Sequence, residues 1–394
     1  MEQQKIAVVG GCGHVGLPLS AVFASKGCQV VIYDVNAEAV ARVTRREVGF
    51  IELGAQELLD AHIGRNLRAT TDPSAVAAAD VVVCLIGTPI DEHLNPQVDK
   101  LLGAVDELRP YLRAGQLFVL RSTVFPGATE MLATWMERHV PGVDVAFCPE
   151  RVAQGYAVRE ILELPQIVSG ASARALERAK ALFSLVAPSV VELSPEEAEL
   201  GKLFCNAWRY ITFAAANQFY ALCAENSLDY TRIHRAITLD YPRMRSLPGA
   251  GLAAGPCLFK DTMQLAAFSN NEFSLGQDAM LVNEGFPRVL LKQLRQHGLA
   301  DKTVGLLGMA FKGDNDDTRE SLAFKMRKLL ELECRQVLCT DEFVHRDWLV
   351  PLEDVLSQAD ILVVTAPHSR YRGLAPKQPT LDPWNVLNRG GLLK

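Results

Sequence analysis

Three glycines in a fixed pattern, Gly11-Cys12-Gly13-His14-Val15-Gly16, follow the apolar run KIAVVG and precede a stretch patterned as a helix. The chemistry this spacing suits is diphosphate binding. Missing side chains permit a tight turn and close approach of backbone to a pyrophosphate, while the helix N-terminus adds N–H donors and the positive end of a dipole. The next apolar run ends at Asp34, eighteen residues beyond Gly16. A carboxylate there accepts a hydrogen bond from a ribose 2′-hydroxyl and repels a 2′-phosphate, which favours NAD over NADP. The plainer reading of Asp34 is an ordinary turn acid.

The second candidate is a nucleophile. Nine cysteines stand at positions 12, 28, 84, 148, 205, 223, 257, 334 and 339, with no CxxC pair. Several lie in apolar runs such as VVVCLIG and FCNAW, as small buried hydrophobes in a reducing compartment do. Cys257 differs in its surroundings, LPGAGLAAGPCLFKDTMQL. A glycine-containing loop ending in Pro-Cys can present a thiol to a ligand, and the ammonium of Lys260 would favour the thiolate. The same residues also suit a buried cysteine opening a helix, with Lys260 and Asp261 as a solvated pair. The eight histidines include no HExxH and no ligand-like pairing with cysteine, so no metal site is expected.

These groups need a frame. KIAVVG, CQVVIYD, ADVVVCLIG, QLFVLRST and VDVAFCPE read as strands, separated by helical segments such as LPLSAVFASKG and VDKLLGAVDELRPYL. Near-continuous apolar strands alternating with helices predict a parallel sheet covered on both faces, running to about residue 195. Ser194 with Glu197 then forms a capping box. Leu200, Phe204, Ala207, Ile211 and Ala215 keep a helical period to about Cys223, long for a globular helix. Lys202 and Asn206, four apart, share one face of it. From about residue 302, KTVGLLG, CRQVLCTDE and ADILVVTAP predict a second, smaller doubly wound sheet, with ESLAFKMRKLLELE as a helix.

The bulk properties narrow the function. At 394 residues the chain holds two or three domains, at about 150 residues each. Its net charge of −6 offers no basic footprint for nucleic acid or an anionic membrane. No run approaches the roughly 18 apolar residues of a membrane span, and no signal-peptide cleavage site follows the N-terminus. A cytoplasmic protein is expected.

Along nearly its whole length the chain resembles the UDP-glucose/GDP-mannose dehydrogenase family. The matching pieces are GCGHVG with Asp34, GTPID at 87–91, STVFPG at 122–127, CPERVAQG at 148–155, AELGKLFCN at 198–206, GAGLAAGPCLFKD at 249–261 and GMAFKGDNDDTRES at 308–321. The resemblance implies an α/β fold of two Rossmann-like doubly wound domains joined by a long central helix. It divides the chain into an NAD-binding domain (1–194), a central helical and catalytic-loop domain (195–295) and a C-terminal nucleotide-sugar domain (296–394). A homodimer paired through the long helix is implied as well.

It also implies a reaction. NAD takes a hydride from C6 of a nucleotide sugar, Cys257 traps the aldehyde, a second hydride leaves a thioester, and water releases the uronate. Covalent trapping keeps the aldehyde from escaping. By the same resemblance Lys202 and Asn206 stabilise charge on O6, Asp261 and Thr123 orient water, and Glu150 assists hydrolysis. Gly11, Gly13, Val15, Gly16, Asp34, Thr88, Pro89, Thr123 and Arg319 fall to the cofactor. Glu150, Arg151, Lys202, Asn206, Arg243, Gly251 and Lys312 fall to the substrate, with Arg243 reaching across a dimer in homologues.

The chain departs from the family at Gln154, where a second acid is common, and at Ala253-Ala254-Gly255-Pro256, which replaces a more flexible glycine pair. Pro149-Glu150-Arg151 resembles the UDP-N-acetylhexosamine enzymes, whereas the lysine of CLFKD resembles the UDP-glucose and GDP-mannose forms. The balance leans to a UDP-N-acetylhexosamine, with UDP-glucose close behind. The alternatives are a two-electron hydroxyacid-type NAD dehydrogenase, which has no use for Cys257, and a non-catalytic NAD or nucleotide-sugar binder.

Overall fold

The computed structural model describes residues 4–393 apart from 88, 92 and 95. Eight strands form the first sheet: β1 (Lys5–Val9), β2 (Gln29–Tyr33), β3 (Leu67–Thr70), β4 (Val81–Cys84), β5 (Leu117–Leu120), β6 (Asp144–Phe147), β7 (Gln166–Gly170) and β8 (Val190–Glu192). Their order is β3-β2-β1-β4-β5-β6-β7-β8, and every pairing is parallel except β6 with β7.

The apolar runs read as central strands because both faces are buried. Successive side chains point to opposite faces. Ile6 and Val8 of β1 therefore join the core with the helix Gly16–Ser25, while Ala7 and Val9 pack into the core on the other face. β4 divides likewise, Val81 and Val83 to one side, Val82 and Cys84 to the other. Fully burying one such aliphatic side chain contributes about 1.5–3 kcal/mol.

The capping box at the long helix forms as expected. Glu197 Oε2 accepts from Ser194 N at 2.8 Å, and Ser194 Oγ accepts from Glu197 N at 3.2 Å. The helix runs Pro195–Glu225. The chain divides into two compact units, 1–205 and 206–394, with the division inside this helix.

The second unit carries a four-stranded parallel sheet of β9 (Thr303–Leu307), β10 (Gln336–Thr340), β11 (Ile361–Val364) and β12 (Thr380–Leu381), in the order β10-β9-β11-β12. The helix Leu322–Glu331 joins the first two. The two sheets share one device. Asp34, just past β2, accepts from Cys12 N and from Asn36 N, each at 3.0 Å. Asp341, just past β10, accepts from Met309 N at 2.6 Å and Phe343 N at 2.9 Å. In both, the acid ending the second strand holds the loop that follows the first. Among the described residues no helix is long and apolar enough to cross a membrane.

Candidate active site

The glycine loop has the shape a dinucleotide needs. Gly10 turns at φ +71° and donates to Tyr33 O at 2.8 Å, pinning the loop to the end of β2. A Cβ on Gly11 would lie 2.9 Å from Val8 O, and one on Gly16 would lie 2.4 Å from Gly11 Cα. Those two glycines close the turn and seat the helix on the strand. Nothing stands within 4 Å of where a Gly13 Cβ would be, so that position opens outward. Val15 is the N-cap of the helix Gly16–Ser25, which has no side-chain cap and no acid in its first turn. The N–H donors of that turn therefore face no competing carboxylate. With Asp34 beside the loop, the residues fit the diphosphate and adenine-side ribose of NAD.

Pro89 lies in the loop after β4, and its carbonyl accepts from Gln97 N at 2.9 Å; Thr88 falls outside the described residues. Thr123 lies in the loop after β5, against Gly87, whose missing Cβ would approach Thr123 O at 3.0 Å. Glu150 follows β6 and is buried. Its Oε1 accepts from Arg151 N at 2.7 Å and Val152 N at 3.0 Å, while its Oε2 pairs with the guanidinium of Arg121. Arg151 turns its side chain to Pro165 O. Lys202 is half-buried on the long helix, and its ammonium has neither a hydrogen bond nor an ion pair among the described residues. A half-buried ammonium without a counter-charge suits a site where negative charge develops.

In the second unit the structure separates Cys257 from the other thiols. Seven of the nine cysteines are at least partly buried, and burial raises each of them. Cys12, Cys148 and Cys339 are pushed up to about 12 and Cys84 to about 11. Cys205 and Cys257 alone are exposed. Cys257 is the N-cap residue of the helix Leu258–Phe268, where the helix dipole favours an anion. Its charge also acts on Arg319, adding to the rise in the arginine's pKa that comes first from the hydrogen bonds Arg319 donates to Asp317. Arg319 is clamped through Nε at 3.0 Å and Nη2 at 2.6 Å to the carboxylate of Asp317, which fixes where its charge sits.

One turn past the cysteine, Asp261 has no solvent exposure. Its Oδ2 accepts from Asn206 Nδ2 and its Oδ1 from Lys260 Nζ, both at 2.5 Å. The loop before Cys257 is held from behind. Gly251 N donates to Asn217 Oδ1 at 2.9 Å, Asn217 Nδ2 to Asn283 Oδ1 at 3.0 Å, and Asn283 Nδ2 to Tyr210 O at 2.9 Å. A Cβ on Gly251 would stand 2.4 Å from the Trp384 ring. Gly255 takes φ +112°, with the Phe311 ring 2.7 Å from where its Cβ would be.

The structure thus gathers Asn206, Gly251, Cys257, Asp261 and Arg319 around the start of one helix. Lys312 lies half-buried in the loop after β9. Arg243 stands apart: it is exposed, and its one hydrogen bond among the described residues is to Tyr241 Oη at 3.2 Å. Sequence reasoning missed Arg121, Gln166, Asn217, Asn283 and Asp317. A charge at the end of the apolar run LFVLR and an asparagine inside an apolar helix were the available signals.

With this geometry in view, the relatives are informative. Models of the UDP-glucose/GDP-mannose dehydrogenase family match the chain three times: the NAD binding domain at residues 4–186, the central domain at 196–284 and the UDP binding domain at 305–389. The chain is 29% identical to a UDP-N-acetyl-D-mannosamine dehydrogenase of Yersinia pestis, covering 99% of each protein. It is 29% identical to an NDP-N-acetyl-D-galactosaminuronic acid dehydrogenase of Ralstonia solanacearum, over 95% of this chain and 93% of that one. A solved UDP-D-ManNAc dehydrogenase from Pyrococcus horikoshii superposes with TM-score 0.91 at 26% identity, covering 98% of this chain and 96% of that one. The chain belongs to the UDP-glucose/GDP-mannose dehydrogenase family. It is an NAD-dependent nucleotide-sugar dehydrogenase with two Rossmann-type sheets and a long central helix.

Proposed function

We propose that the protein oxidises the C6 hydroxymethyl of a UDP-N-acetylhexosamine to the uronate by way of a thioester on Cys257. One observation carries this reading. Of the two exposed thiols among nine, only Cys257 also stands at a helix N-terminus and acts electrostatically on a guanidinium, that of Arg319. The names of the relatives, acting on N-acetylmannosamine and N-acetylgalactosamine derivatives, support an N-acetylated sugar over glucose.

NAD, when bound, supplies the hydride acceptor for both oxidations. The chain's own residues do the rest. Lys202 and the second amide hydrogen of Asn206 steady negative charge on O6. Cys257 adds its sulfur to the aldehyde carbon, and loss of a second hydride leaves the thioester. Asp261 and Thr123 orient the water that cleaves it, and Glu150 assists that step. Arg151, Gly251 and Lys312 serve the nucleotide sugar, with Arg243 supplied across a dimer. Gly11, Gly13, Val15, Gly16, Asp34, Thr88, Pro89 and Arg319 serve the cofactor, and Arg319 also favours the Cys257 thiolate. Four electrons leave each sugar as two hydrides, and one water enters.

A homodimer is proposed on the apolar stripe of the long helix. Phe204, Trp208, Phe219 and Leu222 fall within about 60° of one another at 100° per residue. They are 54%, 59%, 42% and 57% exposed, which a lone helix in water does not favour. A cytoplasmic location and the three-domain division 1–194, 195–295 and 296–394 complete the reading.

The test is the number of NADH formed per sugar consumed across UDP- and GDP-sugars, for the wild type and Cys257→Ser. Two NADH per sugar, with turnover lost in the variant, is expected. One NADH per sugar, unchanged by the substitution, would overturn the thioester.

A further inference from the structure

Arg121 is the largest side chain wholly withdrawn from solvent. It follows β5 in the first unit. A buried guanidinium is costly unless its donors are answered; here Nε has no partner among the described residues, while Nη1 and Nη2 are both used, directly or through Gln166, on one short segment. Nη1 donates to Cys148 O at 3.1 Å. Both Nη1 and Nη2 donate to Gln166 Oε1 at 3.2 Å, and Gln166 Nε2 in turn donates to Pro149 O at 3.0 Å. Nη2 pairs with Glu150 Oε2, while Arg121 O accepts from Glu150 N at 3.1 Å. The Phe183 ring backs the cation at 4.8 Å. The orientation of the Gln166 amide follows from its partners, since its oxygen faces a cation and its nitrogen faces carbonyls.

Three successive residues, Cys148, Pro149 and Glu150, are therefore held by one cation and its amide relay. An aliphatic residue would fill the space after β5 without a desolvated charge, so packing does not account for the arginine. We infer that Arg121, with Gln166 as its relay, is the positioning residue that sets the Glu150 carboxylate for the water-consuming step. The inference rests on the proposed role of Glu150. Arg121 touches no reacting atom; it acts by fixing one Glu150 oxygen, leaving the other to order the Arg151 and Val152 amides.

Two readouts test it together. Amide hydrogen exchange across 150–153, read by mass spectrometry on the full chain, reports the hold directly and needs no activity. Arg121→Met is expected to speed exchange there while exchange elsewhere in the sheet stays as in the wild type. In turnover, Arg121→Met is expected to lower kcat about 10- to 100-fold, as a displacement of about 1 Å costs, with KM little changed and acyl-enzyme accumulating on Cys257. Arg121→Lys should recover part of this. Arg121→Met/Glu150→Gln should be no slower than Glu150→Gln alone, because one residue acts through the other.

Unchanged exchange at 150–153, or additive losses in the double variant, would overturn the inference. Should Arg121→Met fail to fold, Arg121→Lys and Gln166→Leu carry the same exchange and additivity comparisons. A wild type giving one NADH per sugar would overturn the thioester reading instead, and the exchange measurement would still decide whether Arg121 sets Glu150.

Discussion

Asn206 donates its Nδ2 to Asp261 Oδ2 at 2.5 Å, tying the long helix to the helix that begins at Cys257. The carboxylate is fully buried, and its other oxygen is taken by Lys260. One hydrogen of the Asn206 amide is thus used to set its plane, and the second can face a ligand oxygen. In the proposed function, positioning and charge stabilisation meet in this one side chain.

Asn206→Ala removes both. The expected loss in kcat is about 10²–10³-fold, the usual effect of deleting one preorganised donor. The stability cost of leaving Asp261 short of a donor is about 1–3 kcal/mol. Steady-state kinetics and urea denaturation on the same preparation separate the two effects. A variant that lost stability but kept kcat would remove Asn206 from the chemistry.

Gly251 and Gly249 make a matched pair. Alanine at 251 drives a methyl into the Trp384 ring, 2.4 Å from the ideal Cβ, whereas nothing lies within 4 Å of that position at 249. Gly251→Ala should cost about 1–3 kcal/mol as overpacking does, and should lower kcat by shifting the loop that carries Cys257. Gly249→Ala should match the wild type in urea midpoint and in rate. Equal behaviour of the two would mean the loop moves freely over the tryptophan.

How far such features can be read from sequence depends on how local they are. The glycine turn with Asp34 is legible because its parts lie within one strand-helix-strand unit, and the strands KIAVVG and ADVVVCLIG are legible because burial on both faces makes them uniformly apolar. β3 (LRAT) and β8 (VVE), at the two edges of the sheet, are short and partly polar, and β7 (QIVSG), as long as β1, is polar at both ends, so none of them shows such a run. The cysteine was singled out by its loop, but Asn217, Asn283 and Tyr210 behind that loop come from segments far apart in sequence. Arg121 is invisible for the same reason: a charge after an apolar strand gains a meaning only when Glu150 and Gln166 arrive beside it.

The apolar stripe of the long helix can be broken at one residue. Trp208→Glu puts a charge where Phe204, Phe219 and Leu222 share its face. A central tryptophan in an interface is worth about 2–4 kcal/mol, so the dimer dissociation constant should rise roughly 30- to 1000-fold. Sedimentation velocity over a concentration series reads this directly. A wild type that sediments as a monomer at micromolar concentration would end the dimer proposal.

Asp341 should make the second unit sensitive to acid, and the sign follows from its surroundings. Burial works against its charge, yet the hydrogen bond from His368, with those from the Met309 and Phe343 amides, carries its pKa below the ordinary 3.8. A carboxylate depressed on folding contributes stability that is full above its unfolded pKa and is lost as pH falls through the folded value. Its oxygens meet five donors: Met309, Ala310 and His368 on Oδ2, Phe343 and Val344 on Oδ1. His368 Nδ1 accepts from Asp314 N at 2.9 Å, so Nε2 carries the hydrogen that Asp341 receives. Asp341→Asn keeps the shape but turns an NH₂ group toward two or three of those donors. At pH 7 it should cost about 2–6 kcal/mol, since each of at least two buried donors left unanswered costs about 1–3 kcal/mol. The difference from the wild type should hold down to about pH 5 and shrink below pH 4, where the wild-type carboxylate itself takes up a proton. Thermal unfolding of both proteins from pH 7 to pH 3 gives the curve. A constant difference across that range would show that shape rather than charge holds the loop after β9.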